Sequence, residues 1–205
     1  MEQMTSEFAV IPTTCISDAM DGLTNLDSLI KPLKEEYKIA GRAFTVQIPV
    51  GDNLAFLQAI REANPGDILV VDAKGDPNRA IAGDFVVGMA QTLGIGAIVV
   101  DGVIRDIFGI KNLDFPVFCK GTTVAASGKA GVGQINIPIS CGGVAVSPGD
   151  LIVGDADGVV VIPRSIEQIV LAKALDKLKK DEMREATISG NPDAVRKYLD
   201  QMLGR

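Results

Sequence analysis

Four side chains in this 205-residue chain are best placed to act on a small organic acid: Asp84, Arg105, Asp106 and Lys129. Arg105 and Asp106 close the stretch Ile98-Val99-Val100-Asp101-Gly102-Val103-Ile104-Arg105-Asp106. The apolar run from Ala97 to Val100 predicts a buried strand, and Asp101-Gly102 is a turn signal. Ligand sites in open α/β sheets lie just beyond the carboxyl ends of strands. An arginine there can grip a carboxylate through two parallel N–H···O bonds. An aspartate beside it can hold a hard divalent cation. Together they point to a site for a small, metal-chelating acid. The competing reading is a local surface ion pair. Adjacent residues face each other poorly, so the two are expected to point at separate partners.

Gly83-Asp84-Phe85-Val86 stands where a helix is predicted to begin. Unpaired N–H groups and the helix dipole favour an anion at such a terminus, and glycine lets a ligand approach the backbone. Asp84 also has a plain role available, as an acid complementing the dipole. The helix leads directly into the strand that carries Arg105 and Asp106, so the two groups can share one layer. Lys129 lies in Ser127-Gly128-Lys129-Ala130-Gly131-Val132-Gly133. That order is not a phosphate-loop pattern, and no helix follows. It reads as a flexible turn from which a lysine could reach an anionic ligand. Asp155-Ala156-Asp157-Gly158 opens like a calcium loop but lacks the downstream glutamate, so a hairpin turn is expected.

What is missing narrows the chemistry further. The chain has no histidine, which excludes Ser-His-Asp and Cys-His hydrolysis and His-ligated zinc. Cys15, Cys119 and Cys141 are odd in number and form no Cys-x-x-Cys pair, which fits buried thiols in a reducing cytosol. A net charge of -6 argues against nucleic acid as the main ligand. No apolar run approaches the ~20 residues that span a bilayer. Met1 to Glu7 carries acids and no basic segment, so no signal peptide is expected.

The elements that must position these residues read as α/β. Thr13 to Gly22 predicts a short helix with a threonine N-cap, and 41–49 a half-buried strand. Asp52-Asn53 caps a helix running to Ala63. Asp67 to Asp72 is a strand, Asp84 to Leu93 a helix, and Ala97 to Val100 the next strand. The alternation implies parallel pairing. Beyond Asp114 the texture turns strand-rich: Phe115 to Cys119, Gly133 to Ile139, Gly143 to Val146, and a hairpin from Leu151 to Ile162 about Asp157-Gly158. Ser165-Ile166-Glu167-Gln168 reads as a capping box opening a helix to about Thr187, and Asn191-Pro192-Asp193 starts a terminal helix. With no repeat or linker, residues 1–205 read as one domain.

In this order the elements resemble the RraA-like family, which includes class II 4-hydroxy-4-methyl-2-oxoglutarate/4-carboxy-4-hydroxy-2-oxoadipate aldolases and regulators of ribonuclease E. The likeness runs from Thr13-Thr14 to Pro163. It is most specific at Ala82-Gly83-Asp84, at Val100 to Asp106, and from Pro116-Val117-Phe118 to Cys141-Gly142-Gly143. The resemblance implies a three-layer α/β/β domain of the swivelling phosphohistidine-like type with C-terminal helices, assembled as a trimer or hexamer with sites between subunits. It implies Asp106 as ligand of Mg²⁺ or Mn²⁺, and Arg105 as the residue gripping substrate and stabilising an enolate. Gly83, Asp84, Phe85 and Val86 would bind the pyruvyl carboxylate and orient water, with Lys129 as a further substrate contact. The implied reaction cleaves 4-hydroxy-2-oxo acids to pyruvate and decarboxylates oxaloacetate. The alternative is a non-catalytic regulator binding a ribonuclease or helicase.

One departure stands out. The aldolases usually carry an acid three residues after the Asp of the Arg-Asp pair, and here that residue is Gly109. Loss of a carboxylate that orders water around the ion can cost ~10–100-fold in affinity or activity. Gly109→Glu is expected to restore such a carboxylate, unless Gly109 forms a turn only glycine tolerates. Asp181 or Glu182, from the C-terminal helix of another subunit, is the other candidate source.

Overall fold

The parallel strands are built from runs of uninterrupted apolar residues. In the computed structural model, which describes residues 2–205, these are Ile68–Asp72 (β3) and Ala97–Asp101 (β4), buried along their whole length. Each has a packed layer on both faces. Leu69, Val71, Ile98 and Val100 face one core, while Ile68, Val70, Ala97 and Val99 face another. Two covered faces are what a parallel strand requires, and the sequence responds with a continuous apolar run rather than alternation.

The other elements are named in chain order. Helices Glu2–Ala9 (α1) and Thr13–Ala19 (α2) open the chain, followed by strands Lys31–Pro32 (β1) and Ile39–Gln47 (β2). Helix Leu54–Glu62 (α3) leads into β3, and helix Asp84–Thr92 (α4) into β4. Strand Val103–Ile104 (β5), helix Ile107–Leu113 (α5) and strands Val117–Cys119 (β6) and Gly121–Thr122 (β7) come next. Short strands Gln134–Ile135 (β8), Ile139–Cys141 (β9) and Val144–Val146 (β10) precede the hairpin Leu151–Asp155 (β11) and Gly158–Ile162 (β12). Helices Glu167–Ile188 (α6) and Pro192–Met202 (α7) end the chain.

The main sheet runs β1-β6-β4-β3-β2-β11-β12, with β8 also pairing β2. Strands β2, β3, β4 and β6 are mutually parallel, and β11 and β12 continue the sheet antiparallel. Helices α3, α4 and α5 cover one face through Phe56, Val87, Ala90 and Ile110. On the other face, Ile152 and Val161 of the hairpin join Ile139, Cys141 and Val146 against Val70, Val99 and Phe118, so the sheet curls over its own core. The hairpin's outer side, Leu151, Val153, Val160 and Ile162, packs on α1, α2 and α6 through Phe8, Ile16 and Val170. The α/β class and the C-terminal helices match the architecture expected from the sequence.

Several local expectations change. Strand β2 is covered on both sides rather than half-buried, because Ala43 and Thr45 meet the hairpin-side core and the loop beyond β8. Pro12, not a threonine, is the N-cap of α2. Thr13 instead binds Asp155 across the fold, through its N–H at 2.9 Å and its Oγ1 at 2.6 Å. No capping box forms at Ser165. Glu167 turns away to pair with Arg42 at 2.7 Å, and Ile166 is the cap position. The stretch 133–139 divides into β8 and the start of β9. The hairpin register pairs Asp155 with Gly158, so Ala156 and Asp157 are the turn residues. Asn191 does cap α7, accepting from the N–H groups of Asp193 and Ala194. Met1 lies outside the described residues.

Candidate functional site

The segment before α4 is stitched to β5, and this brings the separate sequence motifs together. Ile81 N–H donates to Val103 O at 3.0 Å, and Arg105 N–H donates to Ala82 O at 3.0 Å. Gly83, the N-cap of α4, therefore lies against Arg105 and Asp106. A Cβ on Gly83 would overlap Asp106 Oδ2 and come within 3.3 Å of Arg105 Cγ and Nε. Glycine is needed here for close approach, because the Asp106 carboxylate fills the space a side chain would take.

Asp106 is the N-cap of α5 with φ +58°, a left-handed backbone that Asp tolerates better than most residues. Its carboxylate makes no cap hydrogen bond to its own helix and turns towards Gly83 instead. That backbone also lets neighbouring side chains meet. Arg105 Nε lies 3.4 Å from Asp106 Oδ2, so the expectation that the two point apart is corrected. Both remain partly open, at 42% and 46% side-chain exposure, leaving capacity for a ligand.

Asp84 is the first residue of α4, and its Oδ1 accepts from Phe85 N–H at 2.7 Å. The rest of its carboxylate packs on Gly109. A Cβ on Gly109 would overlap Asp84 Oδ2 and stand 2.7 Å from Asp84 Cβ and 2.8 Å from Cγ. Gly109 lies within α5, so the idea of a turn that only glycine tolerates is also corrected. Its constraint comes from Asp84. A glutamate at 109 would displace that carboxylate rather than fill an empty place.

Two concavities meet at this point. One, of about 510 Å³, is lined by Arg105, Asp106, Phe108, Thr122, Thr123 and Val124. The other, of about 990 Å³, is an apolar groove among α3, α4 and α5, lined in part by Leu57, Ile60, Asp84, Phe85, Met89 and Leu113. Phe85 and Phe108 are 78% and 83% exposed at their rims. Val86 packs towards the core, so only its backbone can serve a ligand.

Lys129 is not drawn into the Arg105 cluster by any contact. It is exposed on a loop clamped by Asp52, whose Oδ2 accepts from Ala130 N–H at 2.7 Å and Gly131 N–H at 2.8 Å. The Leu54 N–H, with those two bonds, holds the Asp52 carboxyl below the usual range. Asp181 is engaged on its own helix by Arg184 at 2.6 Å and Lys177 at 3.4 Å. Asp114 pairs with Lys34 at 2.6 Å, away from the site. No local pattern signals the contact of Gly109 with Asp84, or Thr122, Thr123 and Val124 near Arg105. The parallel pairing of β5 with β7 delivers these last three.

The donor set suits one kind of ion. No group of three or more His, Cys, Asp or Glu side chains that could hold a metal occurs among the described residues. Magnesium-type ions keep most of their water and use one or two carboxylates plus the substrate's oxygens. The half-open Asp106 carboxylate, with Asp84 on the adjoining helix turn, fits that demand.

The RraA-like family profile, described as Aldolase/RraA, matches residues 13–161. A protein of Halalkalibacterium halodurans named "Putative 4-hydroxy-4-methyl-2-oxoglutarate aldolase" is 63% identical over 198 residues, covering 97% of this chain and 94% of its own. The crystal structure of an uncharacterized protein from Pseudomonas syringae superposes with TM-score 0.87 at 26% identity, covering 97% of this chain and 94% of the other. Streptomyces coelicolor RraAS2, titled an unusual member of the RNase ES inhibitor RraA family, gives TM-score 0.80 at 30% identity, covering 88% and 94%. No described helix is long and apolar enough to cross a membrane. The family profile and the 63% identical relative agree, and the chain belongs to the RraA-like family.

Proposed function

We propose that this protein is a divalent-metal-dependent lyase that cleaves 4-hydroxy-2-oxo acids of the 4-hydroxy-4-methyl-2-oxoglutarate type to pyruvate, and that it also decarboxylates oxaloacetate. The observation that carries the reading is the convergence of Arg105, Asp106 and Asp84 on the N-terminus of α4, each in contact with Gly83, Gly109 or a neighbour in the cluster. The named aldolase at 63% identity supports it.

Asp106 would hold Mg²⁺ or Mn²⁺, which when bound supplies Lewis-acid polarisation of the substrate's 2-oxo group. The backbone N–H groups opening α4 that the Asp84 Oδ1 bond to Phe85 N–H leaves open would receive the adjacent carboxylate. Arg105 stands where negative charge grows on the 2-oxo oxygen as the carbon–carbon bond breaks, and stabilises the enolate. Asp84 orients a water that would take the 4-hydroxyl proton as the C3–C4 bond breaks, leaving a ketone and the pyruvate enolate, and the same water would return that proton to C3 of the enolate to give pyruvate. Oxaloacetate loses CO₂ through the same enolate, so one charge-stabilising arrangement serves both reactions. Neither route needs histidine or a covalent lysine, in keeping with the composition.

The apolar groove and the exposed Phe85 and Phe108 support a homotrimer or hexamer in which a neighbouring copy covers these rims. Lys129, on its clamped loop, would then meet substrate across that interface. Three free, buried cysteines support a cytoplasmic setting. The competing reading is a non-catalytic regulator of a ribonuclease, favoured by the likeness to RraAS2. The grouping of Arg105, Asp106 and Asp84 about Gly83 and Gly109 favours the enzyme. Arg105→Ala decides between them: turnover to pyruvate should fall ~10²–10³-fold, as for loss of one charge-stabilising donor. Equal pyruvate release by wild type and Arg105→Ala would remove the lyase reading.

A further inference from the structure

We infer that Asn53 is a positioning residue: its buried side-chain amide holds the segment 81–83 where Gly83 and the start of α4 face Arg105 and Asp106. The inference rests on the lyase reading for its catalytic meaning. Three observations carry it. First, Asn53 stands at the N-cap of α3, where an asparagine oxygen ordinarily accepts from an N–H two or three residues on, yet its side chain makes no cap bond. The carboxylate of Asp52 serves the helix start instead, its Oδ1 accepting from Leu54 N–H at 2.8 Å. Asn53 reaches across the fold, and its Nδ2 donates to Ile81 O at 2.8 Å in a buried bond.

Second, that placement works against stability. Asn53 is 7% exposed, and its Oδ1 is buried with no hydrogen-bond partner among the described residues. Leaving a buried acceptor unpaired costs as much as a typical hydrogen bond contributes, or more. A side chain kept for stability alone would not be placed this way. Third, the bond falls on the segment that shapes the site. Ile81 N–H donates to Val103 O, and Ala82 O accepts from Arg105 N–H, each at 3.0 Å. Asn53 thus anchors from the α3 side what the Val103–Arg105 stretch anchors from the other. Gly83 follows directly, with no room for a side chain between it and Asp106. The Asn53 backbone N–H also donates to Gly128 O at 3.0 Å, so the Lys129 loop shares the anchor.

The test compares full-length Asn53→Leu and Asn53→Asp with wild type. Both keep the size of the side chain and remove the N–H donor. Leucine also removes the unpaired oxygen, which offsets the carbonyl it leaves without this partner, so its melting temperature should stay within ~4 °C of wild type. Amide hydrogen exchange, resolved by nuclear magnetic resonance, should speed up about tenfold or more at Ile81 and Arg105 in both variants and stay unchanged at Val70 and Val99 in the central strands. At 25 °C, kcat for pyruvate release should fall about tenfold, with a smaller change in KM, because a displacement below ~1 Å already disturbs a catalytic arrangement. A merely structural role would lower the melting temperature and leave the kcat of the folded protein at the wild-type value. Unchanged exchange at Ile81 and Arg105, or wild-type kcat in a folded variant whose exchange there has risen, overturns the inference. Failure of wild type itself to release pyruvate would strike the lyase reading instead, and the exchange data would still decide whether Asn53 holds the 81–83 segment.

Discussion

Gly83→Ala adds one methyl group at the point where the two halves of the site touch. The new Cβ overlaps Asp106 Oδ2 and lies 3.3 Å from Arg105 Cγ and Nε. Non-bonded heavy atoms settle ~3.5 Å apart, so the Asp106 carboxylate must withdraw by about 1 Å or more. Misplacement of ~1 Å in a catalytic arrangement costs ~10²-fold, and kcat/KM for pyruvate release should fall by about that factor. The effect on folding should be far smaller. Alanine is a poorer N-cap than glycine by ~1 kcal/mol or less, and in a domain of this size that lowers the melting temperature by only ~2–4 °C. A coupled lactate dehydrogenase assay and a melting curve measure both. If Gly83→Ala keeps kcat/KM within twofold of wild type while folded, the contact between Gly83 and Asp106 does not shape the site, and the reasoning fails.

Other consequences are separable. Asp106→Asn keeps the shape but removes the charge, and should abolish the response of pyruvate release to added Mg²⁺ or Mn²⁺; a retained response of wild-type size would argue against Asp106 as the ion's ligand. Arg105→Lys keeps the charge but loses the planar fork, and should still cut kcat/KM by ~10-fold or more, which a substrate titration would show. The depressed Asp52 carboxyl stabilises the 128–131 loop above the usual carboxylate range, and that contribution is lost as pH falls through its lowered folded value. Hydrogen-exchange protection of Ala130 and Gly131 should therefore hold from pH 7 to ~4 and decline below it; decline already at pH 6 would contradict the clamp. Burial pushes the Cys119 thiol up to about 11 and Cys141 higher still, so both should resist iodoacetamide at pH 8 in the native protein and react once it is unfolded.

Much of this architecture was legible where one physical demand dominates a stretch of residues. β3 and β4 need two apolar faces, and the sequence supplies unbroken apolar runs. The start of α4 and the Arg105-Asp106 pair were legible because a strand end and a helix start are local signals. What escaped notice depends on residues far apart in the chain. Thr13 gives up its capping role because Asp155, on the hairpin, takes both its N–H and its hydroxyl. Glu167 leaves its capping box because Arg42, on β2, holds it. Gly109 reads as a missing acid from its spacing to Asp106, because its contact with Asp84 is not written in any local stretch. That contact exists because the bonds from Ile81 to Val103 and from Arg105 to Ala82 bring two helix starts together, and no local pattern encodes such a crossing.

The central claim is that these groups break a carbon–carbon bond beside a ketone with the help of a hydrated divalent ion. The most direct measurement is pyruvate release by the purified wild-type protein from 4-hydroxy-4-methyl-2-oxoglutarate and from oxaloacetate, with Mn²⁺ or Mg²⁺ and then with EDTA. The account predicts pyruvate from both substrates with the metal and loss of both activities on chelation. It is contradicted if neither substrate yields pyruvate above the protein-free rate, or if release is unchanged by EDTA.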